Sequence, residues 1–152
     1  MFRFFASRRD WGAVAIRLFV GTFLIYMIQD NLRSSERMVE FATFLQRFGF
    51  PFPLVSAHVS VYAQTVGAVC LLVGFLTRPA AALIAVNFVV ALAMVHTKLP
   101  FREALDPSAM LASAIFLLFH GPGPLSVDRW LESRRAGRAG AGERARAGLA
   151  GA

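Results

Sequence analysis

The chain has 152 residues, of which 57% are hydrophobic and only 16% charged, and its mean hydropathy is +0.56. A soluble domain carries about a quarter charged residues, and the charges here fall in clumps, so a water-soluble globule is excluded. The net charge of +7 does not read as nucleic-acid binding, because most arginines lie in two terminal groups, Arg3 to Arg9 and Arg129 to Arg146, with no aromatic platform or recognition helix beside them.

Basic ends flanking apolar runs fit anionic lipid headgroups and orientation during insertion. The single cysteine, Cys70, excludes an internal disulfide and any Cys-x-x-Cys pair. A membrane span needs roughly 20 mostly apolar residues, and that length recurs about four times. The expected fold is therefore an all-α membrane protein, a four-transmembrane-helix bundle with a short amphipathic helix between spans 1 and 2. Its parts are a basic N-terminus over 1–10, the membrane domain over 11–131, and an Ala/Gly/Arg tail over 132–152. The tail lacks the apolar content for a core and is expected to be disordered.

In chain order, the basic start precedes an apolar run with no small-x-small cleavage site after it, which predicts a retained anchor. The first span is expected over 11–29, with Trp11 at the interface. Arg17 lies inside it, about 9 Å from Trp11 at 1.5 Å per residue. Two readings are open: snorkelling to the near headgroups, or pairing with an anionic ligand or internal carboxylate. Residues 30–53 form a long connection. Ser34 or Ser35 caps a helix there, Met38, Phe41, Ala42, Leu45 and Phe48 recur at spacings of three and four, and Glu36, Arg37, Glu40 and Arg47 oppose them. This predicts an amphipathic helix flat on the outer surface, ended by Gly49 and the Phe50-Pro51-Phe52-Pro53 run.

Val61 to Met94 reads as a transmembrane hairpin: a second span over 56–76, a turn at Thr77-Arg78-Pro79, and a third span over 79–96. Gln64 and Asn87 both come near the middle of the bilayer. A lone amide in hydrocarbon is costly, so the simplest expectation is that they bond to each other. That pair is either packing glue or the polar floor of a ligand pocket, for instance contacts to a quinone carbonyl. Gly67, Gly74, Ala81, Ala82, Ala85 and Ala91 let these helices approach closely. After an outer loop, Asp106 is expected to cap the fourth span with Pro107 at its first position, over about 108–119. His120-Gly121-Pro122-Gly123-Pro124 breaks it, Ser126 and Asp128 suit a new helix start, and Trp130 and Leu131 can dip into the interface.

No catalytic set, metal-binding spacing or nucleotide loop occurs. His58 and His96, both at the outer ends of spans, are the one histidine pair that haem ligation could use. No span holds a carboxylate, which counts against proton-coupled transport. With both termini cytoplasmic, that side carries ten basic residues (Arg3, Arg8, Arg9, Arg78 and six in the tail) against five outside.

Four pieces stand in order along the chain: Arg17-Leu18-Phe19-Val20-Gly21, Gly49-Phe50-Pro51-Phe52-Pro53, Gly67 with Gly74-Phe75-Leu76-Thr77-Arg78, and Gly121-Pro122-Gly123-Pro124-Leu125-Ser126-Val127-Asp128. With them the chain resembles the DoxX family of small four-helix membrane proteins. The resemblance implies a multi-pass protein of a prokaryotic cytoplasmic membrane with a loose link to quinone-dependent oxidoreductases of sulfur and redox metabolism. The family commonly has His-Gly and then Lys where Met27, Ile28 and Asn31 stand, and Glu where Gln64 stands. That depleted polar set favours a supporting role over catalysis. The expected function is an accessory, anchoring subunit of a quinone-linked oxidoreductase complex, with quinone as cofactor near Gln64, Asn87 and Arg17, no catalytic residues, a redox enzyme subunit or a second copy as partner, and no metal. The alternatives are a scaffold that recruits partners through the amphipathic helix or basic tail, and a small-molecule permeation pathway.

Overall fold

The computed structural model describes residues 9–136, whose regular elements are all helical. They are α1 (Arg9–Arg33), α2 (Ser35–Arg47), α3 (Pro53–Val73), α4 (Thr77–Met94), α5 (Leu105–His120) and α6 (127–136). Two short 3-10 turns, His96–Lys98 and Phe101–Ala104, join α4 to α5. The stretches Asp10–Arg33, Pro53–Val73 and Thr77–Lys98 are each long and apolar enough to cross a membrane. α5, with 16 residues, rises about 24 Å, less than the roughly 30 Å hydrocarbon core.

Helix boundaries follow local chemistry, with four departures from the sequence expectation. α1 runs on through Asp30 and Asn31 to Arg33, because nothing in Gln29–Arg33 breaks a helix; the break comes at Ser34, whose extended backbone and hydroxyl cap the Arg37 N–H. The hairpin turns earlier than expected. Gly74 is left-handed (φ 71°) and Leu76 also has positive φ (49°), so Thr77, Arg78 and Pro79 already form the first turn of α4. Pro79 is tolerated there because first-turn N–H groups have no partner inside the helix. α5 starts at Leu105, fed by the preceding 3-10 turn, so Asp106 and Pro107 fall inside its first turn and Asp106 is not the cap. Finally, α6 continues to residue 136, so the first five residues of the expected disordered tail are helical. The remainder of that tail and most of the basic N-terminus lie outside the described residues.

α1 packs on α3, α3 on α4, and α4 on α5, while α2 lies across α3. Gly67 sets the α3–α4 spacing: a Cβ there would sit 2.7 Å from the Ile84 side chain, so only glycine allows this approach. The buried residues form two apolar clusters. One holds Val20, Leu24, Ala68, Leu71, Ile84 and Leu117. The other holds Ile28, Met38, Ala42, Leu45, Val61 and Val95, with Met38, Ala42 and Leu45 supplied by α2 while Arg37, Glu40 and Arg47 stay exposed. Outward faces of the long helices carry exposed Phe19, Tyr26, Val59, Tyr62, Val66, Val69, Val86 and Val89. An apolar surface this extensive suits lipid rather than water.

Candidate functional site

Polar groups inside the bundle gather in two places. The first is where the α3–α4 turn meets the α5–α6 loop. Arg17 is only 3% exposed, so it does not snorkel. Its guanidinium reaches into the Gly121–Leu125 loop, donating from Nη1 to the Pro122 carbonyl at 2.7 Å and from Nη2 to the Leu125 carbonyl at 2.5 Å. Those proline-rich residues have carbonyls with no helical partner, and a cation is the strongest donor available to them. Its Nε has no partner among the described residues. Asp128, one residue into α6, reaches the other way. Its two carboxylate oxygens accept the N–H groups of Leu76 and Thr77 at 2.7 and 2.8 Å, capping α4, which has no capping side chain of its own. The Asp128 N–H in turn donates to the Gly74 carbonyl at 3.0 Å. Gly74 closes the arrangement, since a Cβ at its position would come within 2.5 Å of Arg17 Nη1 and 2.8 Å of Ser126 Cβ. We refer to this cluster as the lock.

The second place is mid-bundle, at the seam between the two apolar clusters. Along α3, Gln64 falls between Val61 of one cluster and Ala68 of the other; along α4, Asn87 falls between Ile84 and Val95. The two amides do not bond to each other as the sequence suggests. Ser60, one turn before Gln64, stands between them: its Oγ donates to Asn87 Oδ1 at 2.9 Å and accepts from Gln64 Nε2 at 3.0 Å. A hydroxyl has one proton. Once it goes to Asn87, Gln64 must present its amino group to the oxygen. The Gln64 Oε1 acceptor and the Asn87 Nδ2 donor are left without partners among the described residues.

Two cavities flank this chain. One, of about 340 Å³, is lined by Phe23, Leu24, Phe41, Gln64, Phe88 and Met110 among others. The other, of about 390 Å³, is lined mainly by apolar side chains of α2, α3 and α4, including Phe44, Val59 and Val86. Ser60, Asn87, Ala91, His96 and Phe41 border both. His96 donates its Nδ1–H to the Ala91 carbonyl at 3.0 Å, a carbonyl being an acceptor only, so its Nε2 is the free ring nitrogen. His58 holds the Leu54 carbonyl in the same way at 2.8 Å and borders neither cavity, so the two histidines share no site.

Of the three expected site residues, the fold brings Gln64 and Asn87 together and sends Arg17 to the lock. Sequence reading missed Ser60, an ordinary serine whose spacing of four from Gln64 was the available signal. It also missed Asp128 as a cap for a distant helix, which no local pattern encodes. Among the described residues no group of three or more His, Cys, Asp or Glu is placed to hold a metal.

A family model described as DoxX matches residues 12–97. No curated protein and no solved structure matches.

Proposed function

The chain belongs to the DoxX family, and from that premise we propose that it is an accessory, membrane-anchoring subunit of a quinone-linked oxidoreductase, holding a quinone headgroup at the Ser60–Gln64–Asn87 seam. The bundle crosses the prokaryotic cytoplasmic membrane four times, α5 making the fourth crossing together with the 3-10 turn before it; its close packing along α4 supports this reading. α2 lies flat on the outer surface, a reading supported by its buried apolar face and exposed charges. Both termini are cytoplasmic, as the basic-residue asymmetry favours.

The observation that carries the proposal is the seam itself: two apolar cavities meeting at a polar chain that retains one free acceptor and one free donor. Ligand sites of about 300–1,000 Å³ lined by apolar and aromatic side chains, with a few placed polar groups, suit small apolar ligands. A quinone carbonyl would accept from Asn87 Nδ2, and its reduced hydroxyl would donate to Gln64 Oε1. In this reading the chain binds and positions the quinone, and the electron transfer belongs to the partner enzyme.

The test has two parts: quinone content of the protein purified in mild detergent, and quinone-linked activity of membranes lacking the chain. Bound quinone and reduced activity support the proposal; no quinone and unchanged activity defeat it. A scaffold reading has one observation in its favour, that Val39 (55%) stays exposed on α2. Co-purification separates the two readings, since only the first requires a redox enzyme as the main partner.

A further inference from the structure

The lock faces a third cavity, of about 710 Å³, at the opposite end of the bundle from α2. We propose that this cavity binds a phosphate-bearing anion, supplied either by an acidic phospholipid headgroup or by free phosphate. The inference does not depend on the quinone reading.

The argument rests on charge. Arg78, Arg129, Arg135 and His120 border the cavity, as do Asp10, Asp128 and Glu132. Most of the acids are already engaged. Both oxygens of Asp128 accept backbone N–H groups of α4. Asp10 lies 3.9 Å from Arg129 and 3.7 Å from His120. Among the described residues Arg78 and Arg135 have no carboxylate partner, and Glu132 is the one bordering acid that pairs with nothing. Two uncommitted guanidinium groups thus face one uncommitted carboxylate, and a phosphate is the ligand whose oxygens match their planar forks.

Position adds to charge. The Arg78 guanidinium lies over Gly121, 3.7 Å from where a side chain would begin. That is the C-terminus of α5, whose carbonyl ends favour a cation and offset about half of its charge. Phe75 and Leu76, also on the cavity rim, are 40% and 49% exposed. A cavity that offers two guanidinium groups without a carboxylate partner, edged by exposed apolar side chains at the end of apolar helices, matches the two halves of an acidic lipid, phosphate inward and acyl chains against the rim.

The experiment is a binding titration of the full chain in mild detergent, read by native mass spectrometry and by thermal shift. Its ligands are phosphatidylglycerol, phosphatidylcholine and, separately, millimolar inorganic phosphate. We expect phosphatidylglycerol to bind in preference to phosphatidylcholine. Arg78→Gln and Arg135→Gln should each weaken that binding about fivefold, the effect of one arginine near an anionic headgroup. Glu132→Gln should strengthen it, and Arg102→Gln, in the α4–α5 connection, should leave it unchanged. Arg135 and Glu132 are exposed on α6, so their variants test the site even if Arg78→Gln fails to fold. Binding of inorganic phosphate that is lost in Arg135→Gln, without a lipid preference, assigns the site to free phosphate. Equal binding of both lipids with no phosphate binding, or equal losses in Arg135→Gln and Arg102→Gln, overturns the proposal.

Discussion

At the lock, Arg17 and Asp128 commit their charged ends to backbone groups of distant segments, Arg17 to the α5–α6 loop and Asp128 to the start of α4. At the seam, Gln64 and Asn87 share a single hydroxyl and each keeps one polar atom free beside a cavity. Both are polar clusters in apolar surroundings, with Arg17 and Thr77 buried at the lock and Ser60, Gln64 and Asn87 half-buried at the seam, and unmade hydrogen bonds there are costly. The lock leaves Arg17 Nε and Thr77 Oγ1 without partners among the described residues, but it ties its charged groups to distant backbone and so holds the fold together. The seam pairs its groups with one another beside two cavities, and so has something to offer a guest. Polar residues in this apolar bundle therefore divide by what they hold, distant backbone at the lock and one another at the seam.

That contrast can be broken or sharpened by substitution. The largest effect should come from Arg17→Ala, which strands two part-buried carbonyls at roughly 1–3 kcal/mol each. Thermal unfolding of the detergent-purified protein should show a large drop in Tm, with a smaller drop for Arg17→Lys, which keeps the charge and loses the fork. Gly74→Ala should follow, at about 1–3 kcal/mol, because it forces a side chain into left-handed backbone and pushes on Arg17 Nη1. Asp128→Ala should lower stability by about 0.5–2 kcal/mol by uncapping α4, and amide exchange at Leu76 and Thr77 should accelerate with it. Ser60→Ala should have the smallest effect on stability, about 0.6 kcal/mol, yet of these variants it should be the one that weakens quinone binding, because Ser60 orients the Gln64 and Asn87 amides. If Ser60→Ala unfolds the protein as readily as Arg17→Ala does, the division between lock and seam is wrong.

Much of this was legible from spacing. A helix opening at Ser34 or Ser35 and stopping at Gly49 is a local pattern, and the chain forms Ser35–Arg47 behind a Ser34 cap, with positive φ at Gly49. That Gln64 and Asn87 come close on neighbouring helices followed from counting residues along two apolar runs, although Ser60 bridges them. The lock was not legible, although every piece of it lay in the four motifs that carry the family resemblance. Arg17, Gly74, Pro122 and Asp128 are spread over more than a hundred positions, and only tertiary packing makes one site of them. The same limit explains the misplaced turn. Thr77-Arg78-Pro79 looks like a loop from its own residues, and becomes helix because Asp128, fifty-one residues later, caps it.

The most direct test of the central claim is equilibrium binding of a short-chain quinone to the wild-type chain and to Asn87→Leu, which keeps the volume and removes the free donor, with folding checked by thermal unfolding. The account predicts saturable binding by the wild type and at least a severalfold loss in a folded Asn87→Leu. No binding by the wild type, or equal binding by both proteins, would contradict it.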